Sequence, residues 1–113
     1  MAEQIRIGTS GWVYPHWQEV FYPADLPQKQ WFVHYARVFD TVEINSTFYH
    51  LQAASVFEHW GQQAPAGFLY AVKASRYITH IKYLKECKEP LEALLNRASL
   101  LGQALGPILF QLP

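Results

Sequence analysis

Four short apolar segments, separated by stretches with helical spacing, constrain the fold of this chain more than any other feature. The segments are residues 5–10, 41–49, 68–74 and 107–113. Strands that alternate with helices indicate a parallel sheet with right-handed crossovers. No linker, repeat or low-complexity tract interrupts the chain, so we expect residues 1–113 to form one α/β domain.

The stretch between the first two segments ends in a predicted helix. Pro27 stands where a helix can begin. Trp31, Tyr35 and Val38 then recur at the spacing of one helical face. This pattern predicts a helix over residues 27–39.

Two more helical regions follow. Ser55-Val56-Phe57-Glu58 has the sequence of a capping box, which predicts a helix running to about Gln63. Thr79 and His80 open a further helical region, and apolar residues at helical spacing run from Pro90 to Gly106.

The segment 41–49 is read as a strand with an aromatic tail. Val42 and Ile44 alternate with Glu43 and Asn45, which predicts one apolar and one polar face. We expect the apolar side chains to face the helices and the polar ones to face the interior of the fold.

Polar residues stand at or near the ends of all four segments, and this favours a barrel. They are Ser10, Glu43 with Asn45, Lys73 and Gln111. In a TIM-type barrel, such residues meet in one site at the C-terminal ends of the strands. The first turn, Gly8-Thr9-Ser10-Gly11-Trp12, lacks the glycine spacing of a dinucleotide-binding fold.

The length predicts only part of such a barrel. A full barrel takes about 250 residues, whereas this chain has 113 and stops on its fourth predicted strand. We therefore expect the first half of a (β/α)8-type barrel without its C-terminal half. Such a half leaves open sheet edges, so the chain is expected to be a truncated form or to need a complementing half or a second copy.

The strand ends suggest acid/base chemistry. Glu43 and Lys73, expected on adjacent strands, can transfer protons, and His80 can do so near neutral pH. Ser10, Asn45 and Gln111 supply polar groups that can orient a ligand, and Trp12 and Tyr49 can stack on it. The alternative is a buried Glu43–Lys73 ion pair that fills the barrel interior.

The loop after the first segment is unusually aromatic, with Trp12, Tyr14, Trp17, Phe21 and Tyr22. These rings either close one end of the core or cover a ligand pocket, and the sequence leaves both interpretations open.

Other groups carry weaker signals. The histidines lack metal-ligand spacing, so we expect no metal site here, and no motif indicates a cofactor. Cys87 lies among charged residues and is interpreted as incidental. A basic cluster is either a solvated face or a site for a phosphate-bearing ligand or nucleic acid; it comprises Arg76, Lys82, Lys85 and Lys88.

Composition narrows the classes of partner and compartment. The formal net charge is zero, which argues against a polyanion such as DNA. A single cysteine, a polar N-terminus and the lack of a long apolar run predict a cytoplasmic protein without a membrane span.

Four motifs resemble the signatures of the YecE-like proteins, known as domain of unknown function seventy-two. They are Ile7-Gly8-Thr9-Ser10-Gly11-Trp12 with Trp17 and Phe21-Tyr22-Pro23, then residues 39–49, then Val72-Lys73-Ala74 with Thr79-His80, and lastly Gly106-Pro107 with residues 110–113. The resemblance implies a TIM-barrel-like fold of roughly twice this length, of which this chain is the N-terminal half. Leu51 departs from the proline of many members. The resemblance implies no particular activity.

Three functional hypotheses follow. The first is an enzyme that performs acid/base chemistry on a small polar or carbohydrate-like substrate. The second is a non-catalytic module that binds a metabolite or nucleic acid. The third is an inactive truncated fragment.

Overall fold

The computed structural model describes residues 4–113 as a four-stranded parallel sheet with helices. The strands pair in the order of the chain: β1 (Gly8–Ser10), β2 (Thr41–Ile44), β3 (Leu69–Lys73) and β4 (Leu105–Leu109). This sequential parallel order is that of the first four βα units of a TIM-type barrel. The predicted fold class, α/β and the first half of a (β/α)8-type barrel, is confirmed.

The helices lie between the strands. They are α1 (Trp31–Val38), α2 (Ser46–Tyr49), α3 (Ala54–Gln63) and α4 (Lys88–Ala98). Short 3-10 helices cover Pro15–Trp17, Gln28–Gln30 and Ser99–Ala104, and a π-helical turn covers Tyr77–Ile81. No helix within residues 4–113 is both long and apolar enough to cross a membrane. Residues 1–3, on which part of the argument against a signal peptide rests, lie outside the described range.

The two faces of the sheet differ as the alternation predicts. Val42 and Tyr70 are partners in the β2–β3 register and are both fully buried. Glu43 pairs in register with Ala71 on the opposite face, where both are half-buried. Because parallel partners point the same way, the apolar set faces the helices and Glu43 faces the concave side.

The core under the helices is largely aromatic. Tyr22 stacks on Trp31 with ring centroids 4.6 Å apart, and its hydroxyl donates to the Trp12 carbonyl oxygen at 2.5 Å. Phe32 stacks on Tyr70 at 5.8 Å. Part of the aromatic loop after β1 therefore closes the core.

The predicted second strand is shorter than expected. It ends at Ile44, and Ser46–Tyr49 forms a helical turn instead of a strand tail. The buried Thr47 hydroxyl donates to the Lys73 carbonyl oxygen at 2.6 Å and lies 3.0 Å from that of Ile44. This hydroxyl thus contacts one local carbonyl group and one on β3, and the chain turns out of the sheet at this point.

The prediction of a capping box at Ser55 is wrong. Helix α3 begins at Ala54 after an extended Ala53, so Ser55 lies inside its first turn and caps nothing. Burial of Phe57 against the core fixes this helix in place, and that contact outweighs a cap worth about 1 kcal/mol.

Three other boundaries shift for tertiary reasons. The helical segment begins directly after Pro27, as predicted, but as the 3-10 helix Gln28–Gln30, and it becomes α-helical at Trp31, whose side chain is buried in the core. The last helix stops at Ala98, and a 3-10 segment with Gly102 at φ +61° replaces its predicted end. Strand β4 covers Leu105–Leu109 instead of 107–113, because pairing with β3 begins at Leu105.

Candidate functional site

A cleft of about 390 Å³ opens at the C-terminal ends of β1 and β2. Its walls include Gly11, Trp12, Tyr14, Asn45 and Trp60. Ligand pockets for small molecules typically have volumes of about 300–1,000 Å³. Two predicted ligand-binding residues, Trp12 and Asn45, therefore line one cavity of suitable size.

A tight turn after β1 places Trp12 over this cleft. Gly11 has φ +78°, and its N–H donates to the Glu43 carbonyl oxygen at 2.8 Å. The Tyr14 hydroxyl donates to the Ser10 carbonyl oxygen, and a side chain at Gly11 would meet that hydroxyl. The Trp12 ring then lies edge-on to Trp60, with centroids 6.2 Å apart.

Lys73 stands beside the cleft and is held by two contacts. Its Nζ donates to Asn45 Oδ1 at 3.2 Å and lies 4.3 Å from the centre of the Phe48 ring. A cation over an aromatic face is stabilised by the ring quadrupole. Asn45 thus connects the aromatic cleft to a fixed ammonium group.

His80 contacts the same Phe48 ring. The two rings meet edge-on at 5.2 Å, and Nδ1 of His80 lies 2.7 Å from the buried Thr79 hydroxyl. Thr79 and His80 belong to the π-helical turn, a rare conformation that often marks functional sites. The hydrogen bond at Nδ1 leaves Nε2 as the nitrogen that can face a ligand.

Glu43 lies one level deeper than Lys73 on the concave face. Its register partner is Ala71, two residues before Lys73 on β3, which makes Glu43 and Lys73 diagonal neighbours. Such neighbours are about 7–8 Å apart. The structure accordingly places no ion pair between these two described side chains, and the Lys73 partner is Asn45.

The remaining predicted residues lie at the margins. Ser10 is level with Glu43 and exposed at the edge of the sheet. Tyr49 is 62% exposed at the end of α2, with its ring 5.0 Å from that of Phe48. Gln111 is exposed and lies two residues beyond the end of β4.

Two buried tyrosines have perturbed acidity but lie beneath the site. Burial raises the pKa of Tyr22 to about 12, and the neighbouring Tyr35 adds to this shift. Burial also raises the pKa of Tyr70, against a smaller opposing effect of the hydrogen bond from Gln63. Within residues 4–113, no group of three or more His, Cys, Asp or Glu side chains is placed to hold a metal ion.

Sequence reasoning gave no site role to three residues that shape the site: Phe48, Trp60 and Thr79. It placed Arg76 only in the basic cluster. One signal was available for Phe48, which follows Asn45 by three residues, the spacing of neighbours on a helical turn. The interpretation of residues 46–49 as extended hides this signal.

Comparison with known proteins gives consistent results for family and fold. The family model described as "Protein of unknown function DUF72" matches residues 6–113. The UPF0759 protein YecE of Escherichia coli K12 is 30% identical over 109 residues, which cover 96% of this chain and 38% of that protein. YecE of Escherichia coli O157:H7 gives the same values.

A solved structure agrees. The crystal structure of a DUF72 family protein from Thermotoga maritima MSB8 superposes on this chain with a TM-score of 0.84 and 30% sequence identity. The matched region covers 98% of this chain and 45% of the Thermotoga chain. The chain thus spans less than half the length of each of these relatives. With a family match over nearly its whole length, this chain belongs to the DUF72 family.

Proposed function

We propose that this chain carries part of the active site of a barrel enzyme that performs acid/base chemistry on a small polar, carbohydrate-like substrate. One observation carries the proposal: Asn45 lines the aromatic cleft and also accepts a hydrogen bond from Lys73 at 3.2 Å. Asn45, which binds the ligand in this proposal, and Lys73, which transfers protons, are thereby adjacent.

The cleft suits a ligand with both an apolar face and hydroxyl or carbonyl groups. The rings of Trp12, Tyr14 and Trp60 supply flat apolar walls. Since the oxygen of Asn45 already accepts from Lys73, its amide N–H groups can donate to a ligand oxygen. Sugars present this combination of surfaces.

Lys73 and His80 are the proton-transfer groups in this proposal. The Lys73 ammonium has three N–H donors, of which Asn45 takes one, and Nε2 of His80 can face the ligand. Glu43 then serves a substrate group that reaches one level deeper into the concave face. Tyr49 covers the rim, and Ser10 and Gln111 contribute only if a ligand extends along the sheet.

The test is a ligand screen with this chain, followed by substitution. We expect neutral saccharides to shift the amide signals of the cleft residues, and Asn45→Ala to weaken this binding about tenfold because one buried hydrogen bond is lost. Lys73→Met should abolish turnover of a bound substrate. Lys85→Met, at an exposed position between the π-helical turn and α4, is the control and should change neither property.

A non-catalytic binding module is the second candidate. The observation that favours it is the separation of Glu43 from Lys73, which leaves the predicted acid/base pair unassembled. In that case, Lys73→Met weakens binding, but no substrate of the wild-type chain is converted. Saturable binding without turnover across the screened ligands would therefore replace the enzyme proposal by this one.

A further inference from the structure

Three cationic or protonatable side chains surround the rings of α2. Lys73 lies 4.3 Å from the Phe48 ring, and His80 lies edge-on to the same ring. The guanidinium carbon of Arg76 lies 5.7 Å from the centre of the Tyr49 ring. The rings of Tyr49 and Phe48 are in contact, with centroids 5.0 Å apart. Lys73 at the end of β3, Arg76 just before the π-helical turn and His80 within that turn thus all contact the rings of α2.

These groups are not neutralised by carboxylates. Within residues 4–113, the ion pair that the structure contains joins Arg6 to Asp40, far from this cluster. Glu43 is the acidic residue on the adjoining concave face, and it lies one level below Lys73. Lys73 and Arg76 are held by aromatic rings and an amide, which leaves their charge available to a ligand.

Two other residues of the basic cluster have acidic neighbours. Lys82 and Lys88 line one groove together with Glu86 and Glu89, so negative charge stands near them, although these four residues form no ion pair within the described part of the chain. This contrast separates Lys73 and Arg76 from the wider basic cluster. It favours a local anion site over a broad polyanion-binding surface, which would use the whole cluster.

We propose that Lys73, Arg76 and His80 form an oxyanion subsite, so that the ligand of the cleft carries a carboxylate or a phosphate group. The inference rests on the proposed ligand cleft and specifies the ligand as a sugar acid or sugar phosphate instead of a neutral sugar. Arginine and lysine donate charge-assisted hydrogen bonds to both groups. When the His80 ring is protonated, its Nε2–H adds a further donor beside Phe48.

The test titrates this chain with inorganic phosphate, and separately with acetate, at constant ionic strength in chloride. The amide signals of the π-helical turn report binding. We expect saturable shifts that Arg76→Gln weakens by about fivefold or more, since one charge-assisted contact is lost. Lys82→Gln removes the same charge from the groove shared with Glu86 and Glu89 and should leave the affinity unchanged within about twofold. Phosphate binding without acetate binding would assign the ligand to phosphate esters, and the reverse to carboxylates.

Three outcomes would overturn the inference. The first is the absence of saturable shifts with either anion, and the second is equal weakening of anion binding by Lys82→Gln and Arg76→Gln. The third is an affinity that falls in proportion to the number of lysines removed, which would indicate diffuse attraction of the kind that nucleic acids exploit. The ligand cleft is tested separately, because a neutral saccharide that shifts the Trp12 and Asn45 signals keeps the proposed function when the anion subsite fails. Circular dichroism of both variants shows that they remain folded.

Discussion

Phe48 is the residue on which the geometry of the site depends most. The Lys73 ammonium lies over its ring, and the rings of His80 and Tyr49 make edge-to-face contacts with it. None of these contacts can be derived from the spacing of residues 48, 73 and 80. They arise because the Thr47 hydroxyl binds the end of β3 and turns the chain at that point.

Phe48→Leu is predicted to loosen Lys73 and His80 without unfolding the chain. The loss of a cation–π contact worth about 0.5–1 kcal/mol should weaken ligand binding about two- to fivefold. The His80 ring protons should also lose the ring-current shift from Phe48, which NMR measures directly. Phe110→Leu, which removes an exposed ring beyond β4, is the control. Unchanged His80 shifts in Phe48→Leu would contradict the contact.

The buried Tyr22 predicts an alkaline limit to stability. Burial raises its pKa from 10.0 to about 12, so between these values the unfolded chain has lost a proton that the folded chain keeps. The free energy of unfolding therefore falls as pH rises through this range, and the contribution is fully present below pH 10.

Tyr22→Phe should make this alkaline decline shallower, although Tyr70, whose pKa is also raised by burial, keeps part of it. Near neutral pH, the variant should be about 1 kcal/mol less stable, because the hydrogen bond to the Trp12 carbonyl is lost. Denaturant unfolding at neutral pH and at about pH 11 measures both effects. An equal decline in wild type and Tyr22→Phe would show that Tyr22 does not cause it, and exposed Tyr83→Phe serves as the control.

At the scale of elements, periodicity predicted the type and order of the main strands and helices, whereas tertiary contacts set their ends. The alternation of residues 42–45 predicted which side of β2 faces the helices, and Val42 and Ile44 are indeed buried. The capping signal at Ser55 did not predict the start of α3, because burial of Phe57 outweighs it. Local signals are worth about 1 kcal/mol, while a buried aromatic side chain is worth more.

Close packing of α3 on the 3-10 segment before β4 depends on Gly61. A methyl group built there would lie 2.9 Å from the backbone oxygen of Leu101, which cannot move without shifting that segment. Gly61→Ala should therefore destabilise the chain by about 1–3 kcal/mol, although alanine is the better helix former. Thermal unfolding measures this. Gln62→Ala, at an exposed position of the same helix, should be neutral or stabilising, and a stabilised Gly61→Ala would contradict the packing.

The whole molecule is built on a concave parallel sheet whose two edges are open. Its radius of gyration is 15.0 Å, above the value of about 13 Å expected for a compact domain of this length. Strands β1 and β4 each pair on one side only within residues 4–113, and Ile7 (71% exposed) and Leu109 (43% exposed) lie near these edges. In a closed barrel, β1 pairs with the last strand and the interior is filled by side chains.

We expect this chain alone to associate with itself or with a complementing barrel half, because both edges offer unpaired backbone groups. Leu109→Lys should shift sedimentation velocity profiles towards monomer by placing a charge at the β4 edge. Val20→Lys, which changes an 84% exposed residue in the loop after β1, is the control and should leave association unchanged. A stable wild-type monomer that unfolds cooperatively would contradict this prediction.

The sequence by itself determined the α/β class, the strand order and the polar character of the concave face, because alternation and helical spacing are local and repeat along the chain. It also indicated Trp12, Asn45, Lys73 and His80 as site candidates, and the structure places these four around the cleft and Phe48. Only the tertiary structure decided that Lys73 is paired with Asn45 instead of Glu43. The register of two strands distant in sequence fixes that choice, since a shift of two residues between β2 and β3 would bring Lys73 to the level of Glu43.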